Sequence, residues 1–250
     1  MRLVKFPLLV SLSLGLLACA PGNGPSITAT VPVSARGDLA FLPENAEKGT
    51  LFKYYQPKAE SKWFGNWASD LDLTGVSWND ARTATLVSRS HVVMAGHFTR
   101  PSEVAAMFHD KSGKPHERYI TAVKQLPGDI SVGRLNLPLP AGVRHYRFAS
   151  AADATAGRPV IVTDQTKTVS VNRVETVAGP SIRLGYIPEL NPIYQRNLIV
   201  GDSGNPSFIL KNGELFLLET HTTGGPGAGP FYGAPEVQEA VRSAMRELGD

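Results

Sequence analysis

Gly201-Asp202-Ser203-Gly204-Asn205-Pro206 is the string in this chain best suited to chemistry. Glycines on either side of a serine allow a tight turn that projects the hydroxyl and aims backbone N–H groups at one point. A serine nucleophile needs both a hydroxyl that can lose its proton and donors for the oxyanion formed on attack. Asp-Ser-Gly also makes ordinary surface turns. Here, however, the string lies between the apolar runs Leu198–Val200 and Ser207–Leu210, a rarer setting.

A serine hydroxyl needs a base, and the chain has six histidines. His97 ends the run His91-Val92-Val93-Met94-Ala95-Gly96-His97, where small Ala95 and Gly96 let a strand turn and face an imidazole into a cleft. His91, earlier in the same run, reads as an ordinary strand residue. A third group should hold the imidazole tautomer and stabilise its cation. Asp129 fits: it follows the Pro127-Gly128 turn and heads the apolar strand Ile130-Ser131-Val132-Gly133-Arg134-Leu135. Alone, such an Asp would be a strand-cap residue.

The elements that must position these groups are short strands. Runs at Leu71–Ser77, Thr83–Met94, Val104–His109, Arg118–Gln125 and Ile130–Leu135 alternate or are β-branched, and turn residues separate them. A second set covers Val143–Phe148, Val160–Thr163, Val169–Val177, Ile182–Ile187, Ser207–Leu210 and Glu214–Thr220. Asn212-Gly213 reads as a tight hairpin between the last two. Only the end of the chain is helical in pattern: Val237, Ala240, Val241, Ala244, Met245 and Leu248 recur at helical spacing after Pro235. The expected fold is all-β, two antiparallel six-stranded β-barrels with a C-terminal α-helix.

Together the three segments resemble the chymotrypsin/trypsin-like serine proteases. The histidine segment is similar to that family's Ala-Ala-His region, the acid segment to Asp-Ile-Ala-Leu-Leu, and the serine segment to Gly-Asp-Ser-Gly-Gly-Pro. The order His, Asp, Ser is also the family's. The resemblance covers roughly residues 70 to 250 and implies a trypsin-like fold. It implies Ser203 as nucleophile, His97 as general base and acid, Asp129 as orienting carboxylate, and the N–H groups of Gly201 and Ser203 as oxyanion hole. It also implies that Thr222 supports the catalytic Asp and that the Gly224 backbone pairs with substrate. His221 matches a histidine by which glutamate-specific bacterial relatives contact a substrate carboxylate, while Asn197-Leu198-Ile199-Val200 would give the pocket a mainly apolar wall.

Three departures accompany the resemblance. Phe98 stands where a cysteine normally follows the histidine, and Asn205 replaces a glycine. No Ile-Val-Gly-Gly-like activation site is evident, so Asp202, which pairs with a new amino terminus in animal relatives, needs an internal partner here.

The leader has a different character. Arg2 and Lys5 precede the uncharged apolar run Leu8–Leu17, which is short for a membrane span and reads as an export signal. Leu16-Leu17-Ala18-Cys19 resembles a bacterial lipobox, with Cys19, the only cysteine, as the lipidated residue. Cleavage near Ala18 or Ala20 without lipidation is the alternative. A single cysteine also excludes internal disulfides. The expected organisation is a signal peptide over 1–19, a tether and irregular lead-in over 20–60, and barrels over 61–138 and 139–250. The expected location is exported and membrane-anchored, facing periplasm or cell surface.

The formal charge of +3, two charges of which lie in the leader, shows no dense basic patch, so nucleic acid is not an expected partner. The chemistry needs neither metal nor cofactor, and the expected partner is a protein or peptide substrate. Two other readings stand beside an endopeptidase. One is a catalytically inactive, protease-like binding protein. The other is an esterase-type hydrolase, although the Gly-x-Ser-x-Gly elbow is incomplete at Asn205 and only His221 follows the serine.

Overall fold

The second half of the chain forms the larger sheet. A computed structural model describes residues 38–249, so the leader and Cys19 lie outside the described residues. Strands β10 (Pro159–Thr163), β11 (Thr168–Ala178), β12 (Ser181–Gly185), β13 (Pro206–Lys211), β14 (Glu214–Thr220) and β15 (Ala228–Pro230) pair antiparallel in the order β14-β13-β10-β11-β12-β15. The sheet curls until its ends meet: Tyr232 N donates to Leu218 O at 3.0 Å and Thr222 N to Ala228 O at 2.9 Å. Its interior is filled by Val160, Val162, Val171, Leu184, Phe208 and Leu217, all buried.

The first half closes a second barrel with shorter pieces. Strands β4 (Thr85–Leu86), β5 (His91–Ala95), β8 (Ile120–Leu126) and β9 (Ile130–Leu135) form a sheet in the order β4-β5-β9-β8. Strands β6 (Ala106–His109) and β7 (Pro115–Arg118) form a hairpin, and only Tyr119 separates β7 from β8. Residues 76–78 complete the ring, with Ser77 N donating to Ala84 O at 3.0 Å and Trp78 N to Met107 O at 3.3 Å. Val92, Met94, Phe108, Ile120 and Leu135 pack inside. Gly133 keeps that interior open, since a Cβ there would lie 3.0–3.1 Å from Ile120, Met94 and Val92.

Strand faces on β5 and β9 explain how the halves join. Val93, Ile130 and Val132 point away from the first barrel and belong to the larger core that continues into the second. The C-terminal helix α2, after the short α1 (Trp67–Asp70), spans Pro235–Leu248 and covers β8 and β9. Val237, Val241 and Ala244 are its buried stripe, and Arg134 of β9 donates to Leu248 O at 2.9 Å. Among the described residues, no helix is long and apolar enough to cross a membrane.

The fold is therefore all-β and of the trypsin-like type, with one C-terminal helix, and it departs from the sequence pattern in several places. Thr83–Met94 is two strands, because Ser88 Oγ accepts from Ser90 N and His91 N and makes a turn. Leu71–Ser77 and Val143–Phe148 contain isolated bridges rather than strands. Within the lead-in assigned to 20–60, β1 (Gly49–Thr50) pairs with the start of β11 and β2 (Phe52–Tyr54) with β3 (Lys62–Trp63). Leu51 is fully buried and Phe52 stacks on Trp63 at 4.4 Å, so this part of the lead-in packs on the body. Lastly, β15 is Ala-Gly-Pro, which gives no strand signal. A Cβ at Gly229 would lie 2.1 Å from Thr220 O, so the close packing of β15 on β14 excludes the residues that usually mark a strand.

Candidate active site

The β5–β9 register brings the first two groups together. Ala95 pairs with Ile130, and one step further Gly96 N donates to Asp129 O at 2.8 Å. His97 follows on a 3-10 turn, Gly96–Phe98. Gly96 must lack a side chain, because a Cβ would sit 2.8 Å from Asp129 Oδ1. Asp129 ends the Pro127-Gly128-Asp129 loop in the left-handed region at φ 65°, a conformation Asp tolerates better than most residues. Its carboxylate takes both His97 donors: the backbone N–H to Oδ1 at 2.7 Å and Nδ1 to Oδ2 at 2.6 Å. This fixes the ring, with the proton on Nδ1 and the Nε2 lone pair facing outward.

The third group arrives from the other barrel. His97 Nε2 is 3.0 Å from Ser203 Oγ. The Ser203 turn is built from Gly201 at φ +98° and Gly204 at φ +86°, and it rests on the end of β5: a Cβ on Gly204 would meet Ala95 N and Thr83 O at 3.3 Å. Asn205 is fully buried, where its Oδ1 accepts from Thr83 Oγ1 at 3.1 Å and its Nδ2 donates to Asp202 O at 3.1 Å. The residue that replaces the resembling motif's glycine thus pins the Ser203 turn to the first barrel.

Asp202 has the internal partners the sequence calls for, and they are backbone groups. Ile199 N donates to Oδ2 at 2.8 Å and Gln165 N to Oδ1 at 3.1 Å, with Asp202 buried. Gly201 N and Ser203 N, by contrast, have no acceptor among the described residues. Both N–H groups thus stay without a protein acceptor on the turn that carries Ser203 Oγ. The site can deprotonate a hydroxyl, hold the resulting imidazolium, and offer backbone donors to an oxyanion.

The remaining predicted residues sit differently. His221 is 1% exposed and both ring nitrogens are engaged, Nδ1 2.6 Å from Glu219 Oε1 and Nε2 3.2 Å from Thr163 O. The substrate contact expected of His221 would require a substrate carboxylate to displace this buried one. Burial acts to lower its pKa, but the Glu219 carboxylate, the Thr163 carbonyl and the Asp202 charge outweigh it, leaving the pKa above the ordinary histidine value. Thr222 Oγ1 donates to Ala228 O at 3.2 Å rather than to Asp129, bracing the β14–β15 connection. Gly224 lies against Leu198, where a Cβ would be 2.9 Å from the carbonyl oxygen. Gly225 and Leu198 exchange both backbone hydrogen bonds, at 2.7 and 3.0 Å, tying together the segments that flank the Ser203 turn without a disulfide.

The sequence pattern does not single out Gln165, Asn205 as a pin, or Glu219. The last had a signal: residues two apart on a strand share a face, so Glu219 and His221 should meet. Compared with protein-family models and with curated proteins, the sequence matches none.

Proposed function

We propose that the chain is a serine endopeptidase that cleaves peptide bonds through an acyl-enzyme on Ser203. The observation that carries this reading is the continuous path Ser203 Oγ–His97 Nε2, 3.0 Å, and His97 Nδ1–Asp129 Oδ2, 2.6 Å, beside two backbone N–H groups without acceptors. Ser203 Oγ attacks the scissile carbonyl carbon while His97 Nε2 takes its proton, and the Gly201 and Ser203 N–H groups receive the oxyanion. As the tetrahedral species collapses, the C–N bond breaks and His97 returns the proton to the departing amine. Water, deprotonated by the same imidazole, then releases the acyl group from Ser203. Asp129 stays ionised throughout and stabilises the imidazolium.

Incubation with a fluorophosphonate, followed by peptide mapping, tests the nucleophile: phosphonylation of Ser203 with loss of fluoride is expected. Ser203→Ala should abolish both labelling and casein hydrolysis while keeping the wild-type thermal midpoint. Cleavage of casein by the purified Ser203→Ala protein at the wild-type rate would refute the assignment. We further infer that the enzyme is exported and held at a membrane through lipid on Cys19. Mass spectrometry of the mature amino terminus tests that, and an unmodified Cys19 thiol would reject it.

A further inference from the structure

The turn that supplies Gly201 N–H has a clamp outside the triad. Gln165, in the β10–β11 loop, reaches across with its side-chain amide, and Nε2 donates to Val200 O at 2.9 Å. Val200 C=O and Gly201 N–H belong to one peptide unit, and in a trans peptide they point in opposite directions. An amide that holds the carbonyl therefore turns the N–H away from itself, to the side where it is free of protein acceptors. Gly201 is the residue best able to let this peptide flip, since it lacks Cβ and already lies at φ +98°. We propose that Gln165 is a positioning residue that keeps the Val200–Gly201 peptide in the orientation the oxyanion requires, an inference that rests on the serine-hydrolase reading above.

The chemistry of the contact is directional. Only the NH₂ end of the amide can donate to a carbonyl, so a carboxylate in the same place would repel Val200 O. The fit is also close: a Cβ on Gly201 would lie 2.5 Å from Gln165 Nε2 and 2.6 Å from Oε1. The clamp is anchored at its own base. Gln165 N donates to Asp202 Oδ1, so the carboxylate next to Ser203 and the Gln165 amide grip the turn at two points. Asp164, fully buried, folds the loop by accepting from Thr166 N at 2.7 Å and Thr168 N at 3.3 Å. Its Oδ2 is 2.8 Å from Arg196 Nε, on the chain that leads into the nucleophile turn. The loop that presents Gln165 and the loop it acts upon are thus tied together.

Gln165→Met and Gln165→Glu separate hydrogen bonding from space-filling. Met occupies a similar volume over Gly201 without a donor, and Glu is nearly isosteric with the wrong polarity. The rate of Ser203 phosphonylation by a fluorophosphonate needs no known substrate, and it depends on the oxyanion hole because the phosphoryl oxygen occupies it. We expect the limiting rate to fall on the order of 10- to 100-fold in both variants, Glu falling further, with the half-saturating probe concentration changed by less than about threefold. Thermal midpoints should stay near wild type. A Gln165→Met protein labelled at the wild-type rate would overturn the clamp, as would a loss confined to probe binding. Wild-type protein that is not labelled at Ser203 would instead overturn the hydrolase reading and the clamp with it.

Discussion

The two barrels meet at the candidate site but secure their contributions by opposite means. The first barrel supplies His97 and Asp129 from adjacent ends of two paired strands, and a single carboxylate holds His97 through two local contacts, 2.6 Å to the imidazole Nδ1 and 2.7 Å to the backbone N–H. Its groups stay partly open, the side chains being 48% and 32% exposed. The second barrel supplies Ser203 from an irregular turn underlain by buried Asp202, Asn205, Glu219 and His221. The difference follows from what each must present. A base and its acid need two side chains in register, which a strand pair gives without further help. A nucleophile with an oxyanion site needs backbone N–H groups left unpaired, and such a backbone holds only if its neighbours are pinned by buried acceptors.

Removing the acid in the first barrel should produce the largest effect on chemistry with little on the fold. Asp129→Asn keeps the volume but offers an amide, which favours the wrong imidazole tautomer. Turnover should fall on the order of 10⁴-fold, as for the corresponding change in the serine-protease triad, with the thermal midpoint changed little. Steady-state kinetics and calorimetry on one preparation check both halves. If turnover stays near wild type, the first barrel's acid lies elsewhere.

In the second barrel the same kind of change should damage fold and activity together. Asp202→Ala strips the acceptor from Ile199 N and Gln165 N, and hydrogen bonds to a charged group are worth about 1.5–3 kcal/mol each. We expect a loss of stability on the order of 3 kcal/mol in urea unfolding. Fluorophosphonate labelling should be nearly abolished. Asp110→Ala is the matching control in the first barrel. There the carboxylate accepts from Ser112 N, Lys114 N and His116 in a partly exposed hairpin, and labelling should be unaffected. If Asp202→Ala labels like wild type, the contrast between the barrels fails.

The junction tests the contrast at smaller scale. Thr83→Val removes the hydroxyl that donates to Asn205 Oδ1 at 3.1 Å across the barrels, at a cost of about 1 kcal/mol for a buried hydrogen bond. Ser203 should then be less well aligned with His97, and kcat should fall severalfold with KM nearly constant. A change in KM alone would assign Thr83–Asn205 to substrate binding instead.

How much of this was legible in the sequence divides along the same line. His97, Asp129 and Ser203 were readable because each sits in a local string whose glycines and small residues serve a nearby turn. The strands β9 and β14 were readable to the residue, since alternation and Asn212-Gly213 mark them. What could not be read depends on tertiary approach. Gln165 acts on a turn that reaches it only through folding, and the Ala-Gly-Pro of β15 is dictated by its closeness to Thr220 O. For His221, sequence gives the position beside Thr222 but not the burial. Its carboxylate partner, Glu219, lies two residues back on the same face.

The smallest effect is the sharpest test of how each barrel treats a buried histidine. In the first, His109 is fully buried beside Tyr55, with ring centroids 5.2 Å apart, and Nε2 is 2.9 Å from Gln56 O. Burial holds its pKa below the ordinary value despite the Gln56 and Ala59 carbonyls. In the second, the Glu219 carboxylate and its neighbours overcome burial and hold His221 above it. The signs therefore oppose. Protons bind His109 more readily in the unfolded chain, so its contribution is full above about pH 6.5 and is lost as pH falls through the depressed folded value. His221 binds protons more readily when folded, so its contribution is full below about pH 6.5 and is lost as pH rises through the raised folded value. Urea unfolding across pH should show a shallow loss of stability on each side. Glu219→Gln removes the charge that raises His221, so it should flatten the alkaline side and add to the acid-side loss, because the burial that lowers the His221 pKa then lacks its main opponent. His109→Gln should flatten the acid side and leave the alkaline side intact. If Glu219→Gln instead steepens the alkaline loss, Glu219 does not raise His221, and the buried carboxylate–imidazole pair beneath the Ser203 turn is not what distinguishes the second barrel.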